Sequence, residues 1–300
     1  MSASTPRRLG LYIPWGLFAL FCLGWTGYWF FAKDAGVRAI DAAIARAAQD
    51  GVAAGYGSVR ASGYPLRLTL TLTDAHLTLP APALRFDAKE LPVSINLSNP
   101  RHVIAGFVEG LSWRDGAGRK HTLTAVEAQL SMRVDDAGGL ARFSLDLKEA
   151  HIDNEGGPYT RIGELMVHLR PDPRDATDAQ LVVDASIWGG PTPFAALNAV
   201  SPFTAFRLAA AVTDYESLAT RTPLRSWRGA LRVERLDVTY AGTRVTGEGA
   251  LDRDAAFRPV GRLTLRPEGA APVDLVAGDG WWTFAGLRVA PARPLYSAPP

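Results

Sequence analysis

The stretch YPLRLTLTLTDAHLTL, residues Tyr64–Leu79, decides the fold because its first half alternates apolar and polar side chains. The leucines of that half all occupy even positions: Leu66, Leu68, Leu70 and Leu72. A period of two places them on one face of a β-strand. Leu77 and Leu79 occupy odd positions, so a regular strand would turn them to the opposite face. The sequence therefore predicts a bend or a one-residue bulge near Asp74–Ala75, since Asp-Ala lacks the chemistry of a two-residue hairpin.

The same change of parity recurs along the chain, at irregular intervals that exclude a fixed-period solenoid. It is found at Leu72/Ala75/Leu77/Leu79, Ala88/Leu91/Val93/Ile95, Leu123/Val126/Ala128/Leu130, Leu147/Ala150/Ile152, Ile162/Leu165/Val167/Leu169, Val233/Leu236/Val238/Tyr240 and Phe284/Leu287/Val289. We interpret each instance as two strand pieces joined by a kink, including one at Glu149–Ala150. The alternative is that any long β meander contains such changes by chance. Either way, the prediction is a mainly β protein with an extended, curved antiparallel sheet of strand-bulge-strand units.

Composition favours a folded protein and excludes several functions. Of the 300 residues, 47% are hydrophobic and 21% charged, which is ample for a core. The only cysteine is Cys22, so no intrachain disulfide can form and the chain after it has no thiol chemistry. Without Arg7, Arg8 and Lys33, the remaining 29 basic residues are balanced by 30 acidic ones. This balance argues against nucleic acid as a partner, because nucleic acid requires a concentrated basic surface.

The N-terminal segment is predicted to be an uncleaved membrane anchor. Residues 1–8 form a short basic head, and Leu9–Ala32 then runs for 24 residues without a charge. As a helix, that run is about 36 Å long, against about 30 Å for the hydrocarbon core of a bilayer. Arg7 and Arg8 before it, and one lysine directly after it, predict an N-terminus in the cytoplasm with the bulk of the chain exported. A cleaved signal peptide is the alternative, although its apolar region is usually about 7–15 residues long.

The rest of the chain divides into three predicted segments: 33–55 a juxtamembrane helix and linker, 56–290 a periplasmic β domain, and 291–300 a proline-rich tail. The helix is predicted from an apolar stripe at helical spacing: Val37, Ile40, Ile44 and Ala47. Asp34 suits its N-cap and Gly51 or Gly55 its end. We expect this helix to cover one end of the sheet.

Motifs for catalysis, phosphate binding or metal binding were not found, so we expect no enzyme, no cofactor and no metal. His76 and His151 occupy matching places in TDAHL and KEAHI, where a shared metal site is conceivable but solvated surface residues are the simpler interpretation. Trp281 and Trp282 suit either ligand stacking or a core-and-surface pair.

Three features together resemble a known family. They are the basic-flanked anchor, the segment SVRAS followed by GYPLRL, and the stretch TGEGALDRDAAFRPVGRLTL with the ending GDGWWTFAGLRVAP. The chain resembles the uncharacterised bacterial domain of unknown function 2125 and, more loosely, the AsmA-type envelope proteins. The second resemblance implies a curved β-sheet with an apolar concave face, tied to the inner membrane and linked to lipid traffic. A sheet of about 15 strands would be only about 70 Å long, which is short for a bridge between two membranes.

Two functions follow as hypotheses. The first is a module that binds lipid or acyl chains in an apolar β groove; the second is a non-enzymatic envelope scaffold with a dry β core that binds partners through its sheet edges. The candidate lipid-binding residues are the leucines and the phenylalanine of two strands: Leu66, Leu68, Leu70, Leu72, Leu77, Leu79, Phe143, Leu145 and Leu147. Alternation alone cannot separate the two hypotheses, because groove and core require the same pattern.

Overall fold

A computed structural model describes residues 9–49, 51–79, 84–107, 110–114, 118–136, 139–175, 177–190, 202–218, 228–255 and 258–291. The described chain begins with one long helix, α1 (Leu9–Gln49), and continues as strands. A short helix, α2 (Tyr215–Leu218), interrupts the strands between β12 and β13. The strands are β1 (Ala53–Gly55), β2 (Ser58–Ser62), β3 (Arg67–Leu79), β4 (Leu84–Asn96), β5 (Asn99–Gly106), β6 (Leu111–Arg114), β7 (Lys120–Thr124), β8 (Glu127–Val134), β9 (Leu140–Asn154), β10 (Thr160–Pro171), β11 (Ala179–Gly189), β12 (Phe203–Val212), β13 (Leu231–Tyr240), β14 (Thr243–Arg253), β15 (Pro259–Pro267), β16 (Val273–Gly278), β17 (Trp281–Phe284) and β18 (Leu287–Pro291).

These eighteen strands form one sheet, and every pairing in it is antiparallel. From β9 to β18 the sheet is a meander in which each strand pairs with the next. Before β9, short strands share the length of a longer partner: β1 and β2 both pair with β3, and β5 and β6 both pair with β4. In the same way β7 and β8 both pair with β9. The predicted mainly β fold with a large antiparallel sheet is therefore confirmed.

The predicted kinks near Asp74 and Glu149 are confirmed as bends, but not as bulges with an extra residue. Both residues have left-handed backbone, with φ of 50° and 48°. The pairing of β3 with β4 has the same register on both sides of Asp74, from Thr73↔Glu90 to Ala75↔Ala88. No extra residue is needed, because the neighbouring strand changes parity at the same level and the two bend together.

Two of the other parity changes have different structures. Between Val233 and Leu236 a true bulge occurs, since these residues pair with Gly249 and Gly247, which have one residue between them instead of two. The change at Phe284/Leu287 was predicted to be a kink, and this was wrong: Phe284 pairs with Leu287 across a two-residue hairpin. Ala285 and Gly286 both have positive φ there, as a type I′ turn requires.

The anchor and the predicted juxtamembrane helix are one element, which corrects the expectation of two. Lys33 and Asp34 lie inside α1, because charged residues are compatible with a helix interior and neither residue removes a backbone hydrogen bond. The predicted end is right: Gly51, with φ of 77°, donates its N–H to the Ala48 carbonyl. Val52 donates to the Ala47 carbonyl, and the two bonds form a Schellman cap.

The N-terminal part of α1 is long and apolar enough to cross a membrane, and little of that part is covered by the rest of the chain. Its C-terminal part packs on the sheet. Trp29 is buried against Leu68, Leu70 and Leu97, with Val37 and Ile40 beside them. A Cβ on Gly36 would lie 3.0 Å from Leu70 Cδ1, so a glycine there allows the helix to approach β3 closely. The helix thus covers the first strands of the sheet, as its apolar stripe predicted.

Several predicted segments lie wholly or mostly outside the described residues. These are the basic head 1–8; the stretch GGPTPFAALNAVSP at 189–202, whose prolines near each edge suggest one helical turn; most of 216–227, for which a short helix and a loop are predicted; and the tail beyond Pro291.

Candidate functional site

One face of the sheet is apolar from β3 to β16. Residues that pair directly across neighbouring strands project from the same face, so the strand register traces rows of side chains across the sheet. One such row consists of Leu70, Val93, Ala105, Leu130, Leu145, Val167, Val183, Leu208, Leu236, Gly247, Leu265 and Val273. A row without a polar member over twelve strands defines a continuous apolar face.

This apolar face is covered unevenly. Leu70, beneath α1, is fully buried, whereas Leu145, Val167 and Val183 in the middle of the row are only half-buried. Within the described residues, α1 is the long helix, and it packs on the first strands rather than on the middle of the sheet. The central strands therefore lack a helical second layer in the part of the chain that the structure describes.

The ends of the central strands carry aromatic side chains on this face. At one end Tyr215 of α2 is buried with Ala179 and Val212, and its hydroxyl donates to the Leu140 carbonyl of β9. At the other end Trp188 stacks on Phe203, with ring centroids 5.7 Å apart. These aromatic groups close the two ends of β9–β13, which leaves the partly covered aliphatic surface between them.

An apolar cavity of about 370 Å³ opens where the face meets α1. Its position follows from local structure: the bends at Asp74 and in β4 carry Ala75 and Ala88, whose small side chains leave space beneath the helix. It is lined mainly by aliphatic and aromatic residues: Ile40, Ile44, Ala54, Gly55, Tyr56, Leu72, Ala75, His76, Leu77, Phe86, Ala88, Leu91, Phe107 and Leu111. Apart from backbone, the polar groups of this lining are the Tyr56 hydroxyl and the His76 ring.

Those two polar groups lie at defined places. The Tyr56 hydroxyl donates to Asp41 Oδ1 of α1 at 2.6 Å, and this bond to a carboxylate raises the pKa of Tyr56. A Cβ added to Gly55 would lie 2.8 Å from His76 Cε1, so the glycine leaves room for the imidazole ring. The remaining lining offers dispersion contacts and no charge, which suits an aliphatic ligand.

The structure separates the sequence-predicted lipid-binding residues into three groups. Leu72 and Leu77 line the cavity, and Leu77 is 37% exposed. Leu68 and Leu70 are buried beneath α1, while Phe143, Leu145 and Leu147 lie on the apolar face of β9. Leu66 lies outside the strands, 79% exposed, and Leu79 ends β3 half-buried. The nine residues therefore do not form one surface, although seven lie on the apolar face or the cavity wall: Leu68, Leu70, Leu72, Leu77, Phe143, Leu145 and Leu147.

Sequence reasoning did not identify the other cavity residues. Phe86 and Leu111 come from β4 and β6, and Phe107 from the segment between β5 and β6. Ile40 and Ile44 were recognised as a stripe that covers the sheet, but not as walls of a cavity. The available signal was the parity change at Ala88/Leu91, which mirrors that at Leu72/Ala75. Two matching changes in paired strands indicate one bend with small residues on its inner side.

The opposite face is polar, with charges that compensate each other. Arg207 pairs with Asp184 at 2.6 Å, and Arg244 and Arg235 both pair with Asp237. The hydrogen bond from Arg244 is the main cause that lowers the pKa of Asp237. The hydrogen bond that Arg207 donates to Asp184 raises the pKa of Arg207. Four of these residues, Asp184, Arg207, Asp237 and Arg244, line a second cavity of about 370 Å³. Since acids and bases there pair with each other, this face has the character of a solvated charged surface.

The histidines singled out in the sequence occupy separate strands. His76 lies at the apolar cavity in β3, whereas His151 of β9 stacks on the Tyr159 ring with centroids 5.3 Å apart. Among the described residues, no three histidine, cysteine, aspartate or glutamate side chains are grouped as a metal site would require. Trp281 is partly exposed beneath the Arg288 guanidinium, 5.3 Å from its ring centroid.

These features define a class of protein: one continuous antiparallel sheet with an apolar face, attached to a helix that is long and apolar enough to cross a membrane. The chain belongs to a family described as uncharacterised proteins conserved in bacteria, domain of unknown function 2125, which matches residues 29–278. The match begins at Trp29, whose side chain is buried against the sheet, so the part of the helix that packs on the sheet from Trp29 onward belongs to the family domain. No curated protein and no solved structure matches the chain, and the AsmA-type resemblance is not confirmed.

Proposed function

We propose that this protein is held in the bacterial inner membrane by α1 and binds an acyl chain of a lipid in the apolar cavity beside that helix. It acts as a binding protein in envelope lipid homeostasis rather than as an enzyme. The observation that carries the proposal is the cavity itself, about 370 Å³ in volume, walled by Leu77, Phe86 and Leu111 of the sheet and by Ile40 and Ile44 of the helix.

The size of the cavity supports an acyl chain as the ligand. Small-molecule sites have volumes of about 300–1,000 Å³, and this cavity falls at the lower end of that range. Each buried methylene contributes about 0.8 kcal/mol, so roughly ten methylenes would provide useful binding energy before ordering costs are subtracted. The half-buried apolar face beyond the cavity offers further surface to a longer chain. With no charge in the wall, we expect little selectivity for the head group.

The proposed orientation places the N-terminus in the cytoplasm and the sheet in the periplasm. It is supported by Arg7 and Arg8, which directly precede the apolar run, whereas only Lys33 directly follows it, because positive residues concentrate on the cytoplasmic side. In this orientation the cavity stands above the outer leaflet of the inner membrane. Lipid is then the ligand present at the highest local concentration.

A scaffold function is the second candidate, and one observation favours it. Among the residue pairings of the described strands, the last strand, β18, pairs with β17 alone, and it exposes Leu287 (72%) and Val289 (48%). An exposed apolar edge strand is suited to pairing with another protein through its free backbone groups. In that case the apolar face would serve as a core and the edge as the functional surface.

The test compares the lipids that full-length variants retain after purification in detergent, measured by mass spectrometry. Leu77→Asp places a carboxylate in the cavity wall and removes a leucine contact worth about 1.5–3 kcal/mol, so the affinity for lipid, and with it the retained amount, should fall by at least about tenfold. Val126→Asp is the matched control, because Val126 is 78% exposed and lies away from the cavity. Lipids around α1 are common to both variants and cancel in the comparison.

Lipid binding in the cavity requires that the wild type and Val126→Asp retain the same amount and that folded Leu77→Asp retains less. Equal retention in all three proteins would contradict the cavity as the site. If none retains lipid beyond what the isolated α1 peptide carries, the scaffold function is the correct one.

A further inference from the structure

The loop between β2 and β3 contacts α1 within the apolar run. Trp25 Nε1 donates to the Pro65 carbonyl at 2.8 Å, and Trp29 Nε1 donates to the Arg67 carbonyl at 3.1 Å. The Thr26 and Tyr64 hydroxyls are 2.8 Å apart, and the Tyr64 ring meets the Trp29 ring edge-on at 5.8 Å. We call residues 63–66 the β2–β3 tip. These contacts place the β2–β3 tip beside residues 25–29 along the axis of α1.

With α1 across the membrane, as proposed above, that level lies inside the hydrocarbon core for every helix position in which the uncharged run fills the core. The uncharged run of 24 residues is about 36 Å long, whereas the hydrocarbon core is about 30 Å thick. At most about 6 Å of the run, or roughly four residues, can therefore lie outside the core, and tilting reduces this excess. Even if all of the excess lay at the C-terminal end, the core would extend to Tyr28. Trp25, and with it Pro65, would still lie about 4–5 Å within it.

The composition of the tip is suited to that environment. From Ala61 to Leu66 the chain carries no charge, and Leu66 and Tyr64 are 79% and 53% exposed. An exposed leucine at a loop tip loses apolar contact in water but gains it in lipid. Arg67 N–H donates to the Gly63 carbonyl at 2.9 Å. Together with the two tryptophan bonds, this satisfies two tip carbonyls, those of Gly63 and Pro65, and the carbonyl of the adjoining Arg67, which lowers the cost of leaving water.

Two exposed arginines flank the uncharged tip. Arg60 precedes it in β2 and Arg67 follows it in β3, and neither forms an ion pair with another described residue. Long basic side chains beside an apolar tip reach lipid phosphates while the tip lies deeper. We infer that the β2–β3 tip is a second membrane contact, with Leu66 and Tyr64 inserted into the leaflet at the C-terminal side of α1. The sheet then has two attachments to the bilayer, α1 and the tip, which fix its orientation relative to the membrane.

This inference is independent of lipid binding in the cavity, and its test uses an environment-sensitive fluorophore. In full-length protein with Cys22→Ser, a single cysteine is introduced by Leu66→Cys or, as the control, by Val126→Cys. The two positions are equally exposed, at 79% and 78%. Each labelled protein is placed in vesicles of phosphatidylcholine and phosphatidylglycerol, with or without a lipid that carries a nitroxide quencher.

The probe at position 66 should emit at shorter wavelength than the probe at 126 and should lose at least about half of its emission to the quencher, whereas the probe at 126 should be unaffected. Leu66 is largely exposed, so its replacement should not alter folding, and far-ultraviolet circular dichroism checks this. If both probes emit as in water and neither is quenched, the tip lies outside the membrane and the inference is wrong. Quenching at both positions would equally overturn it, because it would show general adsorption of the sheet.

Discussion

At the residue scale, single left-handed residues set the shape of the sheet. Asp74, Glu149 and Ile187 have φ between 48° and 50°, and each lies within a long strand that continues on both sides. Parity changes predicted the first two positions, since apolar side chains must return to the buried face after the bend. Ile187 was not predicted, because a β-branched residue strongly disfavours this conformation.

Replacement of Ile187 should therefore stabilise the protein. Its side chain is 53% exposed, so little burial is lost, while asparagine adopts left-handed backbone with less strain. We expect Ile187→Asn to raise the free energy of unfolding by about 1 kcal/mol, which shifts the melting temperature up by about 2 °C. Thermal melting followed by circular dichroism measures the shift. Ile187→Val, which keeps the branched Cβ, should show no gain; a lower melting temperature for Ile187→Asn would contradict a left-handed backbone at this position.

Also at the residue scale, Asp237 should contribute to acid sensitivity. The bonds from Arg244 and Arg235 hold the pKa of its carboxyl below the ordinary value. A lowered pKa stabilises the folded state above the unfolded-state pKa of about 3.9, and this contribution is lost as pH falls through the folded value. Asp237→Asn should therefore reduce stability at pH 7 but not at pH values below the folded pKa. Unfolding measured against pH tests this, and an equal loss at all pH values would assign the effect to packing instead.

At the element scale, the apolar segment and the segment that packs on the sheet form one continuous helix, α1. The sequence predicted both halves of the helix, but the charges at Lys33 and Asp34 suggested a boundary that the structure does not have. Whether a helix continues past a charged pair depends on packing further along, here of Val37 and Ile40 on the sheet. That contact lies between residues about thirty positions apart, which local patterns do not encode.

The joint between helix and sheet should depend on Trp29. This side chain is 6% exposed, and its ring packs on Leu68 and Leu70. Trp29→Ala should lower the free energy of unfolding of the sheet by about 3–5 kcal/mol, since it leaves a cavity and removes the bond to the Arg67 carbonyl. Phe31→Ala is the matched control, because Phe31 is 64% exposed and should change stability by less than about 0.5 kcal/mol. Similar losses in both variants would show that α1 is not docked on the sheet.

At the scale of the whole molecule, alternation predicted the fold class and the existence of one apolar face. It could not predict how much of that face is covered, because Leu70 beneath the helix and Val183 in the central strands follow the same pattern, yet Leu70 is fully buried and Val183 only half-buried. The cavity depends on Ala75 and Ala88, which meet only through the pairing of β3 with β4. Pairing and helix docking are tertiary properties, so the candidate site emerged from the structure and only in part from the sequence.

The central claim is that an acyl chain occupies the cavity beside α1, and photochemical labelling tests it most directly. A fatty acid with a diazirine near its terminal methyl group is added to the full-length protein in lipid nanodiscs, irradiated, and mapped by mass spectrometry of the peptides. The account places Leu77, Phe86 and Leu111 outside the membrane and predicts adducts on these residues in addition to those on α1. Labelling confined to α1 and the β2–β3 tip, with the cavity residues unmodified, would contradict it.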